Sequence, residues 1–223
     1  MSAASRVLRG TLATPTPSNT AFFLCDIQER FRPLIWQYPH VVATANKMVR
    51  AAGLLNVPVI VTEQHPKALG STAVELDVSK AVGRFPKTKF SMWIPEVEDL
   101  VVNKLKTKAA VLFGIETALD LLRNDIDVFV LADGVSSINR GEIPVALQVR
   151  LARGCAQWPP PQQTLTLRMQ RLREAGATIT TSESILFQMM VDSAHPQFKA
   201  VSALVKEAKD ATAATVETFS ANL

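Results

Sequence analysis

Residues 22 to 28 form an apolar run, Phe22 through Cys25, that stops on a carboxylate, Asp26, with Gln28 two positions further on. A strand buried on both faces of a parallel sheet reads as an unbroken hydrophobic run. Open α/β sheets carry their chemistry just beyond the carboxyl ends of such strands. The pattern returns at Pro58–Glu63, Ala109–Glu116 and Asp127–Asp133, each run closing on an acid. Four acid-terminated strands on one edge predict a parallel sheet with a site at that edge. Asp26 stands where a general acid or base would stand.

The intervening segments read as helices. Val41, Val42, Ala45, Met48, Val49, Ala52 and Leu55 recur at spacings of three and four and define one helical face, which Asn56 ends. Ile94, Val97, Leu100, Val101 and Leu105 define another. Further helices are expected near 117–124, 183–192 and 197–208, with strands near 109–115, 127–132 and 177–181. Residues 64–91 hold Pro66, Gly70, Gly83 and Pro86 and read as one long loop. This alternation predicts a single doubly wound α/β domain, a parallel sheet with helices on both faces. It should span residues 19–210, between flexible tails at 1–18 and 211–223.

Two places break the rhythm. Residues 149–170 carry Pro159, Pro160 and Pro161 between flanks that would otherwise join into one amphipathic helix, so they read as an insertion. The crossover from Thr117 to Asn124 is barely long enough to connect two parallel strands, as though a segment were missing.

Composition narrows the function. With 24 basic and 20 acidic residues the net charge is +4, spread along the chain rather than gathered into a stripe, which disfavours nucleic acid as partner. Two cysteines, Cys25 and Cys155, make no disulfide framework and fit a reducing, cytoplasmic setting. No apolar stretch reaches the ~20 residues of a membrane span. The first 20 residues, with Arg6, Arg9 and no acid, share the composition of a mitochondrial leader, but a plain tail is the expectation. Ala221 and Asn222 depart from the peroxisomal Ser-Lys-Leu address that Leu223 faintly echoes.

The candidate groups each have two readings. Asp26 is either a base at a strand end or a cap on the polar segment that starts at Glu29. Lys87, late in the long loop, is either a cation set beside Asp26 or a solvated lysine. Cys25 points to the opposite face from its strand neighbours and reads as core. His40, His65 and His195 lack metal-ligand spacing, so no metal is assigned, and no glycine pattern cradles a phosphate. No cofactor is expected. Phe90, Trp93 and Phe113 read as core, whereas Trp36 and Tyr38 are placed to line a pocket.

Taken together, Leu24–Gln28, Thr62–Gln64, Pro86–Ser91, Phe113–Thr117 and Ala132–Ser137 resemble the isochorismatase-like cysteine hydrolases, and among them the eukaryotic isochorismatase domain-containing proteins. Thr180–Glu183 and His195–Lys199 carry the resemblance to the C-terminal helices. The resemblance implies a doubly wound hydrolase fold and an Asp-Lys-Cys triad, with Asp26 as its aspartate and Lys87 as its lysine. It implies a thiolate attacking the carbonyl of a small amide or ester-like substrate, the aspartate accepting the thiol proton. Gln28, Glu63, Gln64, Phe90, Gly114, Ile115, Glu116 and Thr117 would form the pocket and receive the oxyanion. Homo-oligomers are common in the family.

The nucleophile the resemblance calls for is not in this sequence. Relatives place it between the Gly-Ile-Glu-Thr turn and the Ala-Leu-Asp-Leu-Leu helix, on a first helical turn where a thiol pKa is readily depressed. Here Thr117 runs directly into Ala118. Thr117 is the nearest hydroxyl, and a hydroxyl is far harder to activate than a thiol. The expectation is a family member impaired in catalysis, or a protein that keeps the pocket for binding alone.

Overall fold

The computed structural model describes residues 14–115, 119–136 and 176–209. Six strands lie among them: β1 (Thr20–Cys25), β2 (Val59–Gln64), β3 (Gly83–Lys87), β4 (Ala109–Gly114), β5 (Asp127–Val135) and β6 (Thr178–Thr180). Every pairing is parallel, and the order across the sheet is β3-β2-β1-β4-β5-β6. The helical segments are α1 (Tyr38–Leu55), α2 (Pro66–Leu69), α3 (Pro95–Glu98), α4 (Leu119–Arg123), α5 (Ser182–Met190) and α6 (Phe198–Glu207). A wider, π-type turn over Asp99–Lys104 continues α3.

Side-chain alternation along the strands sorts the core into two layers. Phe22, Leu24, Val111, Phe113, Phe129 and Leu131 point to the face covered by α1, α5 and α6. Ala21, Phe23, Cys25, Leu112 and Val130 point to the other face, where Val97, Val101 and Leu121 meet them. Because both faces are covered, β1, β2 and β4 are buried at every position, which is why they read as unbroken apolar runs. Helices on both faces of a parallel sheet make this the doubly wound architecture expected.

The segment 64–91 is not one loop. It contains α2 and the edge strand β3, which the sequence reading missed. β3 alternates half-buried and exposed residues and includes Pro86, a pattern that suits an edge strand with a partner on one side only. The expected insertion at 149–170 and most of both expected tails lie outside the described residues.

Strand order reverses between β1 and β4, so this is the switch point where an open α/β sheet leaves a crevice. Gly114 closes that crevice at its base. Its φ is +116°, and a Cβ there would lie 2.1 Å from the Cys25 carbonyl oxygen. Ile115 N–H then donates to the same oxygen at 2.9 Å. Only glycine lets the two strand ends approach this closely.

We predict that Gly114→Ala lowers unfolding free energy by at least ~2 kcal/mol, because the obstacle is backbone and cannot rotate away. Urea denaturation measures it; a loss under ~0.5 kcal/mol would contradict the close packing of β1 on β4.

Candidate active site at the strand ends

β1 ends at Cys25, and Asp26 follows in the left-handed region with φ of 50°, a conformation Asp tolerates better than most residues. The 3-10 turn after it, Glu29–Phe31, is led by Gln28 and has no side-chain cap. The capping alternative for Asp26 is therefore not what the chain adopts. Its carboxylate is buried and turned toward β2 and β3.

The register of the sheet explains what it meets. Cys25 pairs with Thr62 and Gln64 pairs with Lys87, so Thr62, Gln64 and Lys87 come to the end of β1 from two successive strands. Thr62 Oγ1 donates to Asp26 Oδ1 at 2.8 Å. Lys87 Nζ donates to Asp26 Oδ2 at 2.5 Å. The ammonium is also directed at Gln64 Oε1 (2.9 Å) and at the carbonyls of Lys89 (3.0 Å) and Phe90 (2.9 Å). Three N–H groups thus face four acceptors, and the lysine side chain is fully withdrawn from solvent. Lys87 is not a solvated loop lysine; it closes an edge strand.

The other residues singled out from sequence divide by what they touch. Gln28 is fully buried and ties three segments together. Its amide donates to the Gln64 and Gly70 carbonyls at 3.0 and 2.6 Å and accepts from Gln64 N–H at 2.7 Å. Gln64 supports Lys87 and also donates to the Thr88 carbonyl at 2.8 Å. Glu63, on the alternate face of β2, accepts from Thr72 N–H and Oγ1, both 2.7 Å, and from Arg84 at 2.6 and 2.9 Å. It anchors the 70–76 segment and does not join the Asp26–Lys87 pair.

Several expectations need correcting. Phe90 does not pack the core: its side chain is 79% exposed, while its carbonyl holds Lys87. Tyr38 does not line a pocket: it is fully buried and donates to the Gln28 carbonyl at 2.7 Å. The Ile115 N–H is already spent on Cys25, so it is not an available oxyanion donor. Glu116 and Thr117 lie outside the described residues. Asp133, expected at a strand end beside Asp26, lies within β5. It accepts from Ser182 N–H at 2.9 Å and from Ser182 Oγ, which fixes the start of α5. Lys47, buried on α1, lies 3.9 Å from it; burial pushes this ammonium's pKa down, against the pull of Asp133 and Glu183.

Thr62 was missed as a contributor. Its signal in the sequence was present: it is the one hydroxyl inside the apolar run of β2, and a buried hydroxyl there needs an acceptor. Cys25 is fully buried in the layer opposite Phe22 and Leu24, as expected. Among the described residues no group of three or more His, Cys, Asp or Glu side chains could hold a metal ion. No helix among them is long and apolar enough to cross a membrane.

A parallel doubly wound sheet with a buried carboxylate–ammonium pair at the carboxyl ends of β1 and β3 defines an α/β protein with a candidate site at that edge of the sheet. The isochorismatase domain model matches residues 20–184, which contain the whole sheet, and the chain belongs to that family. It is 37% identical over 203 residues to isochorismatase domain-containing protein 1 of Danio rerio, covering 88% of this chain but 64% of that protein. It is 39% identical to isochorismatase domain-containing protein 2 of Xenopus laevis, covering 85% of this chain and 84% of the relative. A solved structure named MAR1 ribonuclease, from Caenorhabditis elegans, superposes with a TM-score of 0.71 at 34% identity, covering 87% of this chain and 93% of that one.

Two measurements probe these contacts. Lys87→Met strands the Asp26 carboxylate among buried groups and should cost about 3–5 kcal/mol, much of it recovered in the double variant with Asp26→Asn. A double-mutant cycle with no coupling would mean the pair is not formed. For Glu63, burial raises the pKa, but the Arg84 and Thr72 hydrogen bonds outweigh it and the net shift is downward. A carboxyl group depressed on folding contributes stability above its unfolded value, ~4.3, and that contribution is lost as pH falls through the folded value. Arg84→Met should therefore flatten the fall in stability below about pH 4.3, read by urea denaturation as a function of pH.

Proposed function

We propose that the crevice is the reaction site of a thiol-dependent hydrolase of the isochorismatase family, whose parent form cleaves a small amide or ester-like substrate. The observation that carries this reading is the buried contact between Asp26 and Lys87, two charges almost wholly withdrawn from solvent at the carboxyl end of the sheet. Such a pair costs desolvation energy and is poor evidence of stability alone, so its placement at the carboxyl ends of the strands argues for chemistry.

In this reading the Asp26 carboxylate accepts the proton of a cysteine thiol. Among the described residues each of its oxygens has one side-chain partner, and a carboxylate oxygen can accept a second hydrogen bond. The thiolate sulfur then adds to the substrate carbonyl carbon. The tetrahedral oxyanion collapses, the C–N or C–O bond breaks, and the leaving group departs with a proton returned from Asp26. Water cleaves the thioester to the carboxylic acid and restores the thiol. Lys87 stays cationic beside the carboxylate and offsets its charge through the cycle.

We further propose that this chain lacks the sulfur. Its two cysteines are Cys25, fully buried in β1, and Cys155, outside the described residues and far along the chain from Thr117. The parent chemistry would then be impaired, and the site would act as a pocket that binds without turning over. The chain spans about two thirds of the Danio rerio relative's length, so the activity of the longer protein is part of the proposal as well.

An amide and ester panel on this chain, and on a variant with a cysteine-bearing turn inserted after Thr117, separates the readings. The expectation is no turnover by the chain itself and measurable turnover by the variant. That gain should be lost again on Asp26→Asn. Turnover by the unmodified chain would overturn the proposed impairment, and an inert variant that still binds substrate would favour the binding role.

A further inference from the structure

A second concave feature lies at the same edge of the sheet, beside the Asp26–Lys87 pair. It is an open concavity of about 440 Å³ lined by His65, Pro66 and Lys67 beyond β2, residues 86–89 at the end of β3, and residues 94–96 at the start of α3, most of them exposed. That volume falls in the range of small-molecule sites, roughly 300–1,000 Å³.

Its walls are stiff and its charge is lopsided. Pro66, Pro86 and Pro95 fix three stretches of the lining, and β3 is hydrogen-bonded into the sheet. A rigid lining loses little conformational freedom when a ligand enters. His65, Lys67 and Lys89 bring donors to the cavity, and Glu96 is the one acid in its lining. Lys87 adds no free donor to this lining, because its ammonium is turned inward to Asp26. Neither Lys67 nor Lys89 has a carboxylate within ion-pair distance among the described residues.

His65 supplies an independent sign that the geometry is imposed. It is a non-glycine residue held in the left-handed region, φ 37° and ψ 61°. Its N–H donates to the Lys87 carbonyl at 2.9 Å, and its own carbonyl accepts from Ala68 and Leu69 N–H at 2.8 and 2.9 Å. Backbone strain of this kind persists only where the surroundings enforce it, and it concentrates at ligand sites. Among the described residues, the bonds holding His65 are made by its backbone, and its side chain is exposed at the rim of the concavity.

We propose that this cavity binds a small, multiply charged anion. Its carboxylate or phosphate oxygens are taken by the ammonium groups of Lys67 and Lys89 and by the His65 ring. The site is coupled to the catalytic pair through the backbone. The Lys89 carbonyl accepts from Lys87 Nζ, and the Thr88 carbonyl accepts from Gln64. Occupying the cavity would therefore order the segment that holds Lys87 in place. The proposal stands whether or not the crevice turns over an amide.

The full chain is titrated with inorganic phosphate and, separately, with citrate at low salt, by amide NMR and calorimetry. The expected result is saturable binding of at least one anion, with shifts centred on residues 65–67 and 86–89. Affinity should fall about tenfold or more in the Lys67→Gln/Lys89→Gln variant, whose backbone carbonyls are retained, and should weaken with added NaCl. Glu96→Gln should tighten binding about threefold, a gain that misfolding cannot mimic. Tighter citrate identifies a polycarboxylate ligand; tighter phosphate identifies a phosphorylated one. No saturation with either anion, or unchanged affinity in the double lysine variant, overturns the proposal.

Discussion

Two opposite charges withdrawn from water can persist only if nearly every donor and acceptor around them is satisfied. Each buried ion costs on the order of several kcal/mol in lost hydration, and the mutual attraction repays this only when the geometry is complete. The Asp26–Lys87 pair meets that condition with groups from three adjacent strands. Thr62 and Gln64 come from β2, Lys87 from β3, and the Lys89 and Phe90 carbonyls from the turn that follows. The register of β1 on β2 and of β2 on β3 is thereby tied to the site. A slip of one residue would turn Thr62 and Gln64 to the opposite face and leave both charges unsatisfied.

The same requirement accounts for much of the surrounding architecture. Gln28 and Glu63 spend their polar atoms on the 64–72 segment, which holds that segment against the strand ends. Gly114 brings β4 close enough to β1 to shut the crevice from the other side. Farther from the crevice, Asp133 is committed to Ser182 and the start of α5. Acids of one type at similar positions in sequence thus serve different ends. What separates them is where their partners lie: Asp26 meets Lys87 at the strand ends, whereas Glu63 is tied to Thr72 and Arg84, and Asp133 to Ser182 at the start of α5.

Much of this was legible in the residues. Apolar runs of β1, β2, β4 and β5 ending in acids, and the 3–4 spacing of α1, were enough to infer a doubly wound sheet and to place Asp26 at its edge. β3 was not legible, because an edge strand with one partner needs no continuous apolar run and tolerates Pro86. Nor was the sorting of the acids, since Glu63 and Asp133 end similar runs as Asp26 does. Their partners, Arg84 and Ser182, come from segments 21 and 49 residues away in sequence. Phe90 misled for a related reason: composition marks it as core, whereas the chain uses its carbonyl and leaves its ring in solvent.

The pair also explains how a chain of this family could lose a nucleophile and keep its site. Among the described residues, the side-chain hydrogen bonds that hold Asp26 and Lys87 come from β2, β3 and the turn after β3. The first three strands and the turn after β3 thus supply the partners of both charges, which supports the proposal that such a site can persist where the sulfur is absent. Had those acceptors come from the crossover after β4 instead, losing them would strand a buried cation at a cost of about several kcal/mol.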